Sequence, residues 1–114
     1  MVEIKPIDKP IDATVKVPGS KSYTNRALLI ASLANWKSHL SGALFSDDTD
    51  HMVDSLRKLG VSILADPENC TFEVVGNGSD IPVNQADLYV GNAGTAARPL
   101  VSYVALGNGR FRID

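Results

Sequence analysis

An α/β fold made of βαβαββ units is predicted by two observations. Short stretches of alternating polar and apolar residues, bounded by Gly, Pro or Asp, take turns along the chain with segments whose apolar residues recur at helical spacing. Turns carrying glycine, hydroxyl groups and cations stand where the first pattern gives way to the second. Crossovers between parallel strands place ligands at such strand-to-helix junctions.

Each element has its own signal. Val2 to Ile7 and Ala13 to Val17 read as strands joined through Asp8-Lys9-Pro10. From Ser22 to Asn35, the residues Ala27, Leu28, Ala31, Leu33 and Ala34 fall at helical spacing, with Ser20 or Ser22 as N-cap. Ser38 to Phe45 reads as a strand. Ser46-Asp47-Asp48 supplies a cap and first-turn carboxylates for a second helix, whose inner face is Met52, Val53, Leu56 and Leu59 and which ends at Gly60. Val61 to Leu64 and Thr71 to Val75 flank Ala65-Asp66-Pro67-Glu68-Asn69 as a hairpin. Leu88 to Val90 is a short strand, and Ala96 to Leu106 a third helix stopped by Gly107-Asn108-Gly109. Arg110 to Asp114 alternates as a half-buried strand does and then stops without turn or cap, as in a chain cut from something longer. The order gives one full βαβαββ unit and part of a second from Asp87.

Bulk properties narrow the function classes. The chain has 114 residues and a formal net charge of −2, so no basic field is available to hold a nucleic acid backbone. Anions must be bound by local placement of Lys and Arg. The single Cys70 has no disulfide partner, which fits a reduced cytoplasmic setting. His39 and His51 stand alone and build neither a metal site nor a nucleophile, base and orienter trio. No segment has the length of a membrane span, and Trp36 and Tyr103 read as core or edge packing.

Two junctions carry the chemistry. Pro18-Gly19-Ser20-Lys21-Ser22-Tyr23-Thr24-Asn25-Arg26 holds more polar equipment than a helix cap requires. Lys21 is a compact point charge, Arg26 a planar fork that fixes a carboxylate or phosphate in orientation, and the first-turn N–H groups add positive partial charge. The second, Gly91-Asn92-Ala93-Gly94-Thr95-Ala96-Ala97-Arg98-Pro99, lets main chain approach a ligand at Gly94, with Thr95 as a cap and Pro99 within about one turn of the helix start. Taken alone it is equally a plain strand-to-helix turn. It matches neither the Walker pattern nor the dinucleotide fingerprint. Asp47 and Asp48 are helix-dipole partners, or one of them faces Lys21 and sets its charge.

Pro-Gly-Ser-Lys-Ser-x-x-Asn-Arg-Ala-Leu at 18 to 28, Ser-Asp-Asp-x-x-x-Met at 46 to 52 and Gly-Asn-Ala-Gly-Thr-Ala-x-Arg-Pro at 91 to 99 together resemble the 5-enolpyruvylshikimate-3-phosphate synthase family. The match runs from about Ile4 to Asp114 and covers the N-terminal quarter or so of a family member. The sister enzymes acting on UDP-N-acetylglucosamine are a poorer match, because they carry Asn at the position of Ser22 and lack the run through Asn25-Arg26. The resemblance implies transfer of the enolpyruvyl group of phosphoenolpyruvate to the 5-hydroxyl of shikimate 3-phosphate with release of phosphate, through addition and elimination, without metal or organic cofactor. By motif, Lys21 touches both substrates as proton donor or electrostatic stabiliser, Ser22 and Arg26 bind shikimate 3-phosphate, and Asn92 with the Gly94 main chain lines the phosphoenolpyruvate site. Asp48 is placed beside the reacting centre, and Thr95, Arg98 and Pro99 support that wall. Position 97 is Ala where many members carry Met, a change expected to affect packing alone. An unaltered Gly94, Thr95 and Pro99 imply sensitivity to glyphosate, which competes for the phosphoenolpyruvate site in this family.

The fold implied is the family's two-lobed clamp, each lobe made of three βαβαββ units. Residues 1–17 are then strands of the C-terminal lobe and 18–114 the first part of the N-terminal lobe. The implied partners are the two small substrates and a complementary C-terminal segment, without which the chain is expected to be inactive. The competing reading is a noncatalytic small-anion-binding module derived from the same family.

Overall fold

The apolar stripes of two helices pack on a small three-stranded sheet, and a third helix packs against both of them and against a second, two-stranded sheet. The computed structural model describes residues 1–114. Its helices are α1 (Lys21–Leu33), α2 (Asp47–Lys58) and α3 (Gly94–Val104), and its strands are β1 (Lys37–Leu40), β2 (Ser62–Asp66), β3 (Thr71–Val75), β4 (Gln85–Leu88) and β5 (Arg110–Ile113). Strand β3 lies between β1 and β2 and is antiparallel to both, with Leu40 and Ala65 opposite Phe72. The strands that α2 connects, β1 and β2, therefore run parallel to each other across β3. A second, two-stranded sheet pairs β4 and β5 in parallel, Leu88 opposite Ile113, with α3 as the crossover between them.

The core forms where these layers meet. Met52 and Leu56 on α2, Leu59 at its C-cap, Leu28 on α1, Leu100 on α3 and Phe72 and Val74 on β3 are all essentially inaccessible. Burying each large aliphatic or aromatic side chain contributes about 1.5–3 kcal/mol relative to leaving it in water. The rings of Phe45 and Phe72 stack at 4.4 Å. The α2 inner face anticipated from spacing is the one buried, and Gly60 ends that helix at φ +96°, a conformation few other residues adopt. No helix is long and apolar enough to cross a membrane.

The structure corrects the expected strands. Residues 1–20 form none: Val2, Ile4, Ile7, Ile11, Val15 and Val17 are 70–86% exposed, and neither sheet pairs with this segment. Alternation permits a strand, but partner strands must satisfy its N–H and C=O groups. The radius of gyration, 18.0 Å, exceeds the roughly 13 Å of a compact chain this long because of that extended segment. The first unit consequently lacks its leading strand and reads αβαββ. The strand expected over 38–45 stops at Leu40, because Gly42 turns at φ +66°. The strand expected at 88–90 lies at Gln85–Leu88, whereas Arg110–Ile113 is paired as well as alternating. Trp36 is neither core nor well-packed edge, being 68% exposed beside Ile30.

The hairpin between β2 and β3 forms, but its turn is confined to 67–70, because Ala65 and Asp66, read as part of the connection, pair with Phe72 and Thr71. Its turn is fastened by the Asp66 carboxylate, which accepts from the Asn69 side chain at 2.7 Å and the Asn69 N–H at 3.2 Å. Those two bonds hold the Asp66 carboxyl below its ordinary pKa.

Candidate functional site

Three helix N-termini meet at one cleft of about 440 Å3. At the start of α1, the Ser20 side chain accepts the Tyr23 N–H at 3.4 Å, so Ser20 is the N-cap and Ser22 remains free on the cleft wall. The next residues in that turn face inward. Thr24 Oγ1 donates to the Ser20 carbonyl at 2.8 Å and accepts the Leu44 N–H at 3.0 Å, pinning α1 to the loop that leads into α2. Asn25, fully buried, donates from Nδ2 to Thr95 Oγ1 on α3 at 3.0 Å.

At the start of α2, Thr49 Oγ1 accepts the Ser46 N–H at 2.8 Å and donates to the Ser46 carbonyl at 2.9 Å, closing the cap from inside the helix. This sets Asp48 toward α1, where its Oδ2 meets Lys21 Nζ at 2.7 Å. Asp48 is therefore the carboxylate of the pair that faces Lys21, while Asp47 stays exposed outside the cleft.

The start of α3 differs from expectation in two ways. The helix begins at Gly94 with Ala93 at the cap position and no side-chain cap, so Thr95 lies inside the first turn and its hydroxyl is engaged by Asn25. Pro99 is the sixth helical residue, beyond the first turn, and its missing N–H deprives the Thr95 carbonyl of its intrahelical donor. Gly91, at φ +52°, makes the turn that precedes the helix, and the Gly94 N–H bonds to the Asn92 carbonyl at 2.9 Å. A Cβ placed on Gly94 meets no atom within 4 Å, so the open space beside this residue is the cleft.

The residues singled out in sequence thus come together: Lys21, Ser22 and Arg26 from α1, Asp48 from α2, and Asn92, Gly94, Thr95, Arg98 and Pro99 at α3 line the one cleft. Three cations face one carboxylate in a chain whose net charge is −2. The first-turn N–H groups of Lys21, Ser22 and Thr95 have no main-chain acceptor and add positive partial charge. Such a surface can hold two or more anionic groups with fixed and mobile donors side by side. A larger concavity of about 550 Å3 lies between residues 16–19 and the hairpin turn, but there Lys16 is offset by Glu68 and no cationic surplus results. Arg26 is exposed, its guanidinium carbon 5.9 Å from the centre of the Tyr23 ring.

Thr24 and Thr49 were not anticipated, and Asn25 was read only as extra polarity. The available signal was helical phase: Thr24 and Asn25 precede Leu28 and Ala31 by three to seven residues and fall on the stripe that enters the core. Polar residues at core positions need partners, and only folding shows where those partners are.

Comparison with known proteins shows which family the chain resembles over its length. The family model described as EPSP synthase (3-phosphoshikimate 1-carboxyvinyltransferase) matches residues 5–114. A 3-phosphoshikimate 1-carboxyvinyltransferase of Trichormus variabilis is 50% identical over 113 residues, covering 99% of this chain and 26% of that protein. One from Rhizobium leguminosarum bv. trifolii is 50% identical over 111 residues, with 97% and 26% covered. The solved structure of EPSP synthase from Acinetobacter baumannii superposes with a TM-score of 0.72 at 27% identity, covering 88% of this chain and 23% of that one. The chain spans about a quarter of the length of the relatives that it matches.

Proposed function

Because the chain belongs to the EPSP synthase family, we propose that its cleft is one wall of an enolpyruvyl transfer site for phosphoenolpyruvate and shikimate 3-phosphate. The observation that carries the reading is the convergence of Lys21, Arg26 and Arg98 with the N-termini of α1 and α3 on a single polar cleft. Two anionic substrates need such a surplus, whereas a single capped helix does not.

In the reaction, the 5-hydroxyl of shikimate 3-phosphate adds to C2 of phosphoenolpyruvate while C3 gains a proton, giving a tetrahedral ketal phosphate. Loss of phosphate from C2 and of a proton from C3 then regenerates the enol ether. The work of the protein is to hold two anions together and to move protons. Lys21 reaches both substrates, as proton donor or as a charge that stabilises the intermediate. Ser22 and Arg26 hold shikimate 3-phosphate. Asn92 and the Gly94 main chain line the phosphoenolpyruvate side, Asp48 stands beside the reacting centre through its pair with Lys21, and Thr95, Arg98 and Pro99 support the wall. Residues 1–17 serve the opposing lobe and 18–114 this one.

The cleft is open to solvent on its far side, so donors are not preorganised around a developing intermediate. We expect the chain alone to bind either substrate no better than about millimolar, as befits exposed ion pairs. The test is phosphate release from phosphoenolpyruvate plus shikimate 3-phosphate. It is run with the chain alone and with the chain mixed with the part of the Trichormus variabilis relative that it does not match. No turnover alone and Lys21-dependent turnover on mixing are expected. Turnover by the chain alone would show that the chemistry needs no residues beyond these, and turnover on mixing that survives Lys21→Ala would overturn the role given to Lys21.

A further inference from the structure

We propose that Asn25 is the positioning residue of this cleft: its amide straps the N-terminus of α3 to that of α1 and makes two half-sites act as one. The inference rests on the cleft being the substrate site. Asn25 is 0% exposed and does not line the cleft, yet its side chain reaches Thr95, seventy residues on, at 3.0 Å. Either orientation of the amide preserves this link, since the Thr95 hydroxyl both donates and accepts.

Three observations give the strap its purpose. The first turn of α3 has no side-chain cap at Ala93, and Pro99 removes the intrahelical bond to the Thr95 carbonyl, so the helix itself holds that turn weakly. Gly94, the residue whose open side faces the cleft, sits immediately before the strapped residue. The Asn25 Oδ1 is buried without a partner, a cost that an apolar residue of the same size would avoid. A side chain that carries such a penalty while bonding across two functional turns serves geometry more than stability. Thr24, its neighbour, ties the same turn of α1 to the loop before α2, so adjacent buried residues set α1 against both other N-termini.

The test uses the whole chain. Thr95→Val and Asn25→Leu cut the link from either side, and Thr95→Ser keeps it. Without ligand, amide hydrogen exchange at Ala96 and Ala97, whose N–H groups bond to the Ala93 carbonyl at 2.9 Å, reports the first turn of α3. We expect exchange there to rise about threefold to tenfold in Thr95→Val, the equivalent of one net hydrogen bond, and to return in Thr95→Ser. Exchange at Val74 in β3 should not change. Titration with phosphoenolpyruvate, followed at the Lys21, Ser22, Gly94 and Thr95 amides, should give one midpoint in the wild type. In Thr95→Val and Asn25→Leu the α1 and α3 amides should separate into two weaker ones. The proposal is overturned by unchanged exchange at Ala96 and Ala97, by a rise shared with Val74, or by a single unaltered midpoint despite a local rise. A local rise in a chain whose amides never respond to phosphoenolpyruvate sinks the substrate assignment and leaves the strap standing.

Discussion

The Lys21 ammonium lies 2.7 Å from the Asp48 carboxylate, joining the first turns of α1 and α2 across the cleft. The pair is partly exposed, with 46% and 27% of the two side chains accessible, so it contributes no more than about 1 kcal/mol to folding. Its position at two helix starts matters more. Any anion that uses Lys21 must share it with Asp48 or displace that carboxylate.

Lys21→Ala in the mixed, complete protein should therefore lower kcat by about a hundredfold or more, while the melting stability of the chain changes by less than about 0.5 kcal/mol. A variant that alters KM alone would make Lys21 a binding residue. Asp48→Asn should tighten inorganic phosphate binding at Lys21 by freeing the ammonium, yet reduce turnover.

Arg26→Lys should weaken shikimate 3-phosphate binding by about tenfold, because the bidentate fork is lost although the charge stays. Tyr23→Leu is the control, since the Arg26 guanidinium also lies 5.9 Å from the Tyr23 ring centre. Calorimetry giving wild-type affinity for Arg26→Lys, or an equal loss in Tyr23→Leu, would defeat the direct contact.

Gly94→Ala should fold normally, because no atom stands within 4 Å of the added methyl. An alanine in a helical turn is also favoured over glycine by roughly 0.5–1 kcal/mol, so the melting temperature should hold or rise. The methyl enters the cleft, and glyphosate, longer than phosphoenolpyruvate, should be excluded more than the substrate. Equal glyphosate inhibition of wild type and variant would place the inhibitor away from Gly94.

Tyr103→Phe should stabilise the chain. Tyr103 is 2% exposed and its hydroxyl is buried without a partner, a cost of about 1–3 kcal/mol that phenylalanine removes. Burial also raises the phenol above its ordinary pKa of 10.0. The unfolded chain then loses the proton first, so wild-type stability should fall as pH rises from about 10 toward the folded value. Thermal melts at pH 9 to 11 should show a wild-type decline that Tyr103→Phe reduces. A less stable variant would mean that the hydroxyl has a partner.

The sequence by itself determined the helices, the hairpin and the membership of the cleft. Spacing was enough for α2, because Met52, Val53, Leu56 and Leu59 have one common inner face whatever they pack against. Motif residues such as Lys21, Arg26 and Gly94 were legible because three motifs, in one order and spacing, together resemble those of a known family, although a single glycine-rich junction reads equally as a plain helix start. Tertiary structure alone decided which neighbours complete a pattern. Val2 to Ile7 and Ala13 to Val17 alternate as strands do but pair with neither sheet, whereas Arg110 to Ile113 finds β4. It also decided that Asp48, and not Asp47, meets Lys21, and that Thr95 serves a strap from Asn25 instead of a cap. Local sequence fixes torsional preference and helical phase, but a hydrogen bond or ion pair between residues far apart in the chain exists only once packing has brought their atoms within about 3 Å.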